Sequence, residues 1–299
     1  MKEILLNARA KINITLDVIG KNSDGYHDLS MIMQTINLCD NVSIKKTSSK
    51  GVKMSCNLKW MPCDDRNIVY RAAQLMKEKY KIKDGININL VKNIPVSAGL
   101  AGGSTDCAST LVGIRNLFSL DITDKQLIQI GKSLGADVPY CILRGTALAE
   151  GIGDKLTKLP PFPNCSVLIV KPPINVSTAS VFGAFDNSAV NKNERPDNNL
   201  VIELIKNNDL KGICNNMRNV LESVTIKNYP IIDDIKQMML DKGAIGSMMS
   251  GSGPTVFGFY NSYNEAVKVL RTIRDKHKFR EMYITTIFNT DNKDNFSQK

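Results

Sequence analysis

Apolar and polar residues alternate in several short stretches of the chain, a pattern typical of half-buried β-strands. Such strands are predicted at 12–18, 41–46, 51–57, 86–90, 146–150, 167–170 and 282–288. Apolar residues at helical spacing predict helices over 68–80, 200–206 and 231–240. Two further helix starts carry capping boxes, Thr123 with Gln126 and Ser262 with Glu265. Strands and helices are mixed along the chain, which predicts an α+β fold.

The proline-rich stretch Pro160–Pro163 is the best candidate for a boundary between domains. A chain of 299 residues is long enough for two domains of about 150 residues each. We therefore expect an N-terminal domain over 1–160, a C-terminal domain over 161–288 and a polar, disordered tail over 289–299.

The predicted strand at 86–90 leads into a loop of small residues and then into another helix, within the segment Asn93–Leu111. Gly99, Gly102 and Gly103 would allow positive φ and the close approach of a ligand. The Ser104–Thr105 pair is expected to begin the helix, whose free N–H groups favour an anion. The segment therefore predicts a phosphate-binding loop; the alternative is a tight connection that binds no ligand.

Two common nucleotide-binding motifs are missing from the sequence. The segment Gly131–Ser133 has the Gly-Lys-Ser of a P-loop, but Gln126 stands where the first glycine belongs. The segment Gly251–Gly253 is followed by Pro254 and lacks the third glycine of a dinucleotide fingerprint. A nucleotide would have to be bound by a different kind of loop.

Composition narrows the function further. The seven cysteines include no Cys-x-x-Cys pair, which disfavours a disulfide framework or a zinc site. No apolar run approaches the ~20 residues that span a bilayer, so a cytoplasmic protein without membrane contact is expected. The net charge of +10 is scattered, and its densest cluster, at 274–280, lies at a predicted helix end. A positive field of this kind also suits polyanionic nucleotide substrates.

The segment Pro95–Thr105 resembles the P-x-x-x-G-L loop of the GHMP kinases, which phosphorylate small metabolites with ATP. Three further stretches match the family in order: Ala10–Asn13 with Asp24–His27, Leu134–Pro139 and Ser250–Pro254. The resemblance covers nearly the whole chain. It implies a ribosomal-protein-like α/β N-terminal domain, a ferredoxin-like C-terminal domain and an active-site cleft between them.

The resemblance also implies phosphoryl transfer from ATP, with Mg²⁺, to a hydroxyl group. Asp137 matches the aspartate that faces the acceptor hydroxyl, and Lys11 matches the lysine beside it, which would keep the carboxylate ionised. Without the family, Asp137 would equally be a helix-terminal aspartate and Lys11 a surface charge. No magnesium ligand is assigned. Asp106, placed in the first turn of the helix, is interpreted as structural, with a role in metal binding as the alternative.

ATP is expected to be bound by the glycine loop and two residues outside it. These are Pro95, Val96, Ser97, Ala98, Gly99, Leu100, Ala101, Gly102, Gly103, Ser104 and Thr105, with Asn67 and Lys92.

The implied acceptor is a cytidine diphosphate conjugate of methylerythritol. Tyr26 and Phe182 match family positions whose rings sandwich a cytosine; Phe182 could otherwise be a core residue. Met33 stands where some relatives have an aromatic residue, so this chain departs from the family in part of the lining of the implied base pocket. Neighbouring polar contacts are expected from Asn13, His27 and Thr178.

Two other functions remain open on the sequence. One is a kinase of the same family that acts on a mevalonate-pathway acid, homoserine or a sugar; the other is a non-catalytic RNA-binding protein. The presence of both Lys11 and Asp137 favours an enzyme, and Asp24–His27 with Phe182 favours the cytidylyl acceptor. We expect a small-molecule substrate, no nucleic acid or membrane partner, and a monomer or homodimer.

Overall fold

A computed structural model describes residues 2–23, 25–186 and 194–290. The described chain forms two sheets, one of eight strands and one of four, with helices packed against each. The α+β prediction is therefore confirmed. None of the helices in these ranges combines the length and apolar character that crossing a bilayer requires.

The larger sheet is organised around one long strand, β3, which pairs antiparallel with four neighbours. Its strands are β1 (Glu3–Asn13), β2 (Thr15–Lys21), β3 (His27–Thr47), β4 (Val52–Cys56), β5 (Gly85–Val91), β6 (Thr146–Gly151), β7 (Lys155–Lys158) and β9 (Arg218–Asn219). The order is β4-β5-β3-β2-β9, with β1 and β6 also on β3 and β7 on β6. The strand predicted over 12–18 is divided at Ile14, whose N–H donates to the carbonyl of Ile32 at 2.7 Å.

Four helices follow in this half of the chain: α1 (Ile68–Lys79), α2 (Gly102–Leu117), α3 (Asp124–Lys132) and α4 (Val138–Leu143). The central one, α2, packs on β1 and β3 and contacts the other three helices. A side chain at Gly113 would lie 2.6 Å from Ile44 Cδ1 and 2.8 Å from Leu6 Cδ1, so this glycine permits the close packing of helix on sheet. The helix that follows the glycine loop is thus the core helix of the domain.

The smaller sheet is antiparallel, in the order β10-β11-β8-β12. Its strands are β8 (Ser166–Lys171), β10 (Gly246–Met249), β11 (Val256–Tyr260) and β12 (Glu281–Thr286). The helices of this half are α5 (Thr178–Phe185), α6 (Asn198–Lys206), α7 (Leu210–Asn216), α8 (Glu222–Asn228), α9 (Ile231–Asp241) and α10 (Tyr263–His277). The short helices α4, α5, α7 and α8 were not predicted, because six to eight residues show too little periodicity.

The proline stretch separates the strands of the two sheets with one exception, since β9 pairs in parallel with β2 of the larger sheet. The domain limits of 1–160 and 161–288 stay a prediction. The tail predicted from residue 289 starts too early, because Asn289 exchanges hydrogen bonds with the backbone of Phe162 at 3.0 and 2.9 Å. Residues 291–299 of that tail lie outside the described residues.

The capping box predicted at the start of α3 is confirmed: Thr123 Oγ1 accepts the N–H of Gln126, and the Gln126 side chain accepts the N–H of Thr123. We expect Thr123→Ala to lower the free energy of unfolding by about 1 kcal/mol, because the first N–H groups of the helix lose their acceptor. Thr123→Ser keeps the hydroxyl and should stay close to wild type. Urea denaturation followed by circular dichroism measures both; equal losses would show that the cap is not the cause.

Candidate active site

A cleft of about 670 Å³ lies between the two halves of the chain. Its lining includes most of the predicted site residues: Lys11, Asn13, Asn67, Lys92, Pro95, Val96, Ser97, Ala98, Gly99, Ala101, Gly102, Gly103, Ser104, Asp137, Thr178 and Phe182. Four predicted residues are absent from it: Leu100 and Thr105, which are buried in the core, and Tyr26 and His27, which lie at the start of β3. Met33, the departure within the predicted base pocket, is buried and lines the cleft.

The glycine loop uses positive φ at alternate residues, Ser97 (53°), Gly99 (72°) and Ala101 (55°). The prediction that Gly102 and Gly103 adopt positive φ was wrong, because both already belong to α2. Ala101, rather than the Ser104–Thr105 pair, is the N-cap, and it provides no side-chain cap. The first N–H groups of α2 therefore have no side-chain acceptor at the cap, and residues of that first turn line the cleft, as an anion site requires.

A second glycine loop, residues 250–254, packs against the first. Ser250 Oγ donates a hydrogen bond to the carbonyl of Gly99 at 3.0 Å. A Cβ at Gly99 would lie only 2.2 Å from the carbonyl oxygen of Ser250, so two main chains meet here without room for a side chain. Asn219 Nδ2 holds the second loop by donating to the carbonyls of Met249 (3.0 Å) and Gly251 (2.8 Å).

Lys11 lies near the end of β1 and is buried, with only 5% of its surface exposed. Its Nζ donates to Asn13 Oδ1 at 2.7 Å, and its backbone N–H donates to the carbonyl of Leu100 at 3.1 Å. Within the described part of the chain, no carboxylate forms an ion pair with this ammonium. A buried charge without a counter-ion is unfavourable, so Lys11 is suited to an anionic ligand in the cleft.

Asp137 is the N-cap residue of α4, followed by Val138 and Pro139. Its carboxylate does not cap the helix, and it bonds to no side chain or backbone group in the described ranges. The helix itself is fixed by Tyr140, whose hydroxyl bonds the carbonyl of Gly145 at 2.6 Å and Thr35 Oγ1 at 2.9 Å. The half-buried carboxylate of Asp137 is therefore held on a rigid element with its oxygens available to a ligand.

Lys92 lies under the glycine loop, paired with two buried aspartates. Its Nζ binds Asp40 Oδ2 and, at 2.7 Å, Asp106 Oδ2, and it lies 3.2 Å from where a Cβ on Gly102 would be. Asp40 Oδ1 accepts the N–H of Asn93 (2.5 Å) and of Ile94 (2.7 Å). These contacts connect β3, the entry to the loop and α2, and they occupy the ammonium that was predicted to serve ATP.

The expected place of Asp106 in the first turn of the helix was wrong, since α2 begins at Gly102 and its first turn contains no acid. Asp106 is buried, and its Oδ1 has no partner in the described structure. Burial raises the pKa of Asp106 well above its ordinary value, although the charge of Lys92 acts in the opposite direction. For Lys92, burial lowers the pKa, but the charges of Asp106 and Asp40 outweigh it and the pKa is raised.

Asn67 caps α1: its Oδ1 accepts the N–H of Val69 at 2.9 Å and its Nδ2 donates to the carbonyl of Pro62 at 2.8 Å. Two neighbours that the sequence did not indicate also line the cleft, Arg71 on α1 and Trp60, which is 67% exposed. The available signal in the sequence was that Trp60, the one tryptophan of the chain, lies seven residues before Asn67, a predicted ATP-binding residue.

At the other end of the cleft, the ring of His27 packs on that of Phe182, with centroids 4.8 Å apart and a tilt of 32°. Tyr26 is 61% exposed beside it. Thr178 Oγ1 lies 2.9 Å from Ser252 Oγ, in the second glycine loop. In this structure, therefore, the ring that faces Phe182 is that of His27.

Comparison with known proteins gives two family matches. The model of the GHMP kinases N terminal domain matches residues 67–145, and the model of the GHMP kinases C terminal domain matches residues 201–278. A 4-diphosphocytidyl-2-C-methyl-D-erythritol kinase of Lachnospira eligens is 48% identical over 288 residues, 96% of this chain and 99% of the relative.

Two solved structures extend the comparison. A 4-(cytidine 5'-diphospho)-2C-methyl-D-erythritol kinase superposes with a TM-score of 0.80 at 27% identity, over 96% of this chain and 100% of the other. A homoserine kinase from Cytophaga hutchinsonii has a TM-score of 0.74 at 21% identity, over 96% and 95% of the two chains, a likeness of fold alone.

The contact between the glycine loops predicts unequal effects of two alanine substitutions. Gly99→Ala should lower the free energy of unfolding by at least about 2 kcal/mol, because the new Cβ meets the carbonyl of Ser250 at a positive φ. Gly103→Ala is the matched control: its Cβ would meet nothing closer than Ile68 Cγ2 at 3.9 Å, and alanine should be neutral or stabilising by up to about 1 kcal/mol in a helix. Equal stability of the two variants in urea would contradict this packing.

Proposed function

The chain belongs to the GHMP kinases, and on this basis we propose that it transfers the γ-phosphate of ATP to the 2-hydroxyl of 4-diphosphocytidyl-2-C-methyl-D-erythritol. This reaction is a step in non-mevalonate isoprenoid precursor synthesis. The named acceptor is supported by the relative that is 48% identical over nearly its full length. The observation that carries the chemistry is that Lys11 and Asp137 line one cleft, together with an uncapped helix start, and neither is paired with an opposite charge in the described structure.

Asp137 would act as the base. Its carboxylate oxygens are available, so one of them can accept the proton of the acceptor hydroxyl as that oxygen attacks the γ-phosphorus. The buried ammonium of Lys11 would stabilise the charge that develops on the acceptor and the transferred phosphoryl group. Asn13 Oδ1 accepts a hydrogen bond from Lys11 Nζ at 2.7 Å, and this bond fixes the position of the ammonium group.

The phosphates of ATP would lie at the first turn of α2, where free N–H groups and the helix dipole favour negative charge. Lys92 contributes less to this site than an unpaired lysine would, because two carboxylates already bind it. Arg71 lines the same cleft, and its guanidinium forms no ion pair with an acid among the described residues. Arg71 is therefore a candidate to supply positive charge to the phosphates, since the glycine loop itself contains no basic residue.

Mg²⁺ is part of the proposal because the family transfers phosphoryl groups from ATP. The cleft offers the carboxylates of Asp106, with its unpartnered Oδ1, and Asp137. The described ranges contain no cluster of three or more metal-binding side chains. Magnesium is usually held by one or two carboxylates, waters and substrate phosphates, so this donor set fits an ion that arrives with the nucleotide. When bound, Mg²⁺ would neutralise charge on the phosphates.

The first test of the proposal is the substitution Asp137→Asn. Turnover should fall by roughly 10²–10⁴, the usual effect of removing a general base, while both substrates still bind. Asp121→Asn, at an exposed position outside the cleft, is the control and should keep wild-type turnover. An ADP-release assay over a panel of the cytidylyl substrate, homoserine, mevalonate and galactose measures both variants. If Asp137→Asn retains turnover within about threefold, Asp137 is not the base.

The second test concerns the base pocket. If a cytosine stacks on Phe182, then Phe182→Ala should weaken the acceptor and CDP by about 5- to 150-fold and leave ATP affinity within about twofold. Tyr26→Ala should have the same effect if Tyr26 closes over the base. Tyr263, which is 60% exposed and does not line the cleft, matches Tyr26 in exposure and serves as its control.

Competition kinetics separate the outcomes of this test. CDP should compete with the acceptor and not with ATP. Competition against ATP alone, or faster phosphorylation of homoserine or mevalonate by wild type, would contradict the named acceptor and leave the family assignment intact.

A further inference from the structure

Two segments predicted to bind the acceptor come from distant parts of the chain. Tyr26 and His27 lie at the start of β3, whereas Thr178 and Phe182 lie on α5. If these residues surround one ligand, the distance between β3 and α5 has to be fixed by some contact. No pattern in the sequence points to a residue with this task.

Asp186, the C-cap residue of α5, makes that contact. Its Oδ1 lies 2.6 Å from His27 Nε2, across 159 residues of sequence, and its Oδ2 lies 2.5 Å from Lys21 Nζ. The hydrogen bond from Lys21, and to a smaller extent the one from His27, lower the pKa of Asp186, so the group is a carboxylate at neutral pH. Since a carboxylate can only accept, His27 Nε2 carries the hydrogen in this bond.

The position of Asp186 is unfavourable for the helix alone. A negative charge at the C-terminal end of a helix opposes the helix dipole. The stability of α5 therefore does not account for an acid here, whereas the contact with His27 does.

The two partners of Asp186 differ in burial. The Lys21 side chain is 51% exposed, and an ion pair at such a site contributes little. The His27 side chain is only 11% exposed and packs on Phe182, so its bond to Asp186 also fixes the ring that faces Phe182. The two contacts can thus be tested separately.

We propose that Asp186 is a positioning residue for the acceptor: by binding His27 it holds the start of β3 against α5 and fixes the spacing between the Tyr26–His27 segment and Phe182. The proposal rests on the proposed function for the identity of the acceptor. The contact between Asp186 and His27 does not depend on it.

The kinetic test compares Asp186→Ala, Asp186→Asn and the control Lys21→Met. Asp186→Ala should raise the KM for the cytidylyl acceptor by about 3- to 10-fold and leave kcat and the KM for ATP within about twofold. Asp186→Asn keeps an oxygen that accepts from His27 Nε2 and should recover most of the loss. Lys21→Met should resemble wild type.

A second measurement needs no substrate. Diethylpyrocarbonate modifies unprotonated imidazole nitrogens, and the chain has only two histidines, His27 and His277. The rate at which His27 is modified can be measured by peptide mass spectrometry. This rate should be about 3- to 10-fold higher in Asp186→Ala than in wild type, because Nε2 loses its hydrogen-bond partner. His277, on α10, is the internal control and should react at an unchanged rate in every variant.

The two measurements distinguish the possible failures. An unchanged rate of His27 modification in Asp186→Ala would overturn the contact. A faster rate with an unchanged acceptor KM, or an equal rise in both KM values, would overturn the positioning role. If wild type does not phosphorylate the cytidylyl substrate, the proposed function fails; the KM comparison then uses the acceptor found in the panel, and the modification rates still decide the contact.

Discussion

The meeting of two main chains between Gly99 and Ser250 is the constraint on which the rest of the structure depends. One loop leads into α2, the core helix of the larger sheet, and the other connects β10 to β11 of the smaller sheet. Because backbone faces backbone, no side chain can change rotamer to absorb a shift between them. This contact, together with the Asn219 bonds to the second loop, fixes the width of the cleft and the positions of the groups on its two walls.

The buried lysines of the cleft have opposite consequences for a ligand. The charge of Lys92 is cancelled by Asp40 and Asp106, and it serves mainly to connect β3, the loop entry and α2. Among the described residues, the ammonium of Lys11 is bonded only to the neutral amide of Asn13, so its field reaches the cleft. The two lysines look alike in the sequence, but their partners, distant along the chain, give them different roles. Lys92 supports the loop, and Lys11 is available for chemistry.

Local patterns were sufficient for much of the fold, whereas the site residues were chosen from the family resemblance and their roles stay predictions. Periodicity located β4, β5, β6, β8 and most of the long helices, because each is set by neighbours within a few residues. The left-handed conformations of Ser97 and Ala101 escaped prediction because packing against the rest of the cleft, and not residue preference, imposes them. Asp186 and the pairing of Lys92 with Asp40 were missed for a related reason: the partners are 159 and 52 residues apart, and no local pattern records them.

The return of the chain after β12 has a consequence for the order of folding. Phe288 accepts a hydrogen bond from Gln34 Nε2 at 2.9 Å, 254 residues away, and its ring lies 3.8 Å beneath the guanidinium of Arg9. Gln34 is fully buried in the larger sheet. During synthesis all strands of this sheet except β9 emerge from the ribosome first, yet the side-chain amide of Gln34 has to wait for almost the last residue described before that bond can form. The N-terminal half is therefore completed by residues near 288. Contacts between residues so far apart in sequence raise the contact order and couple the folding of the two halves.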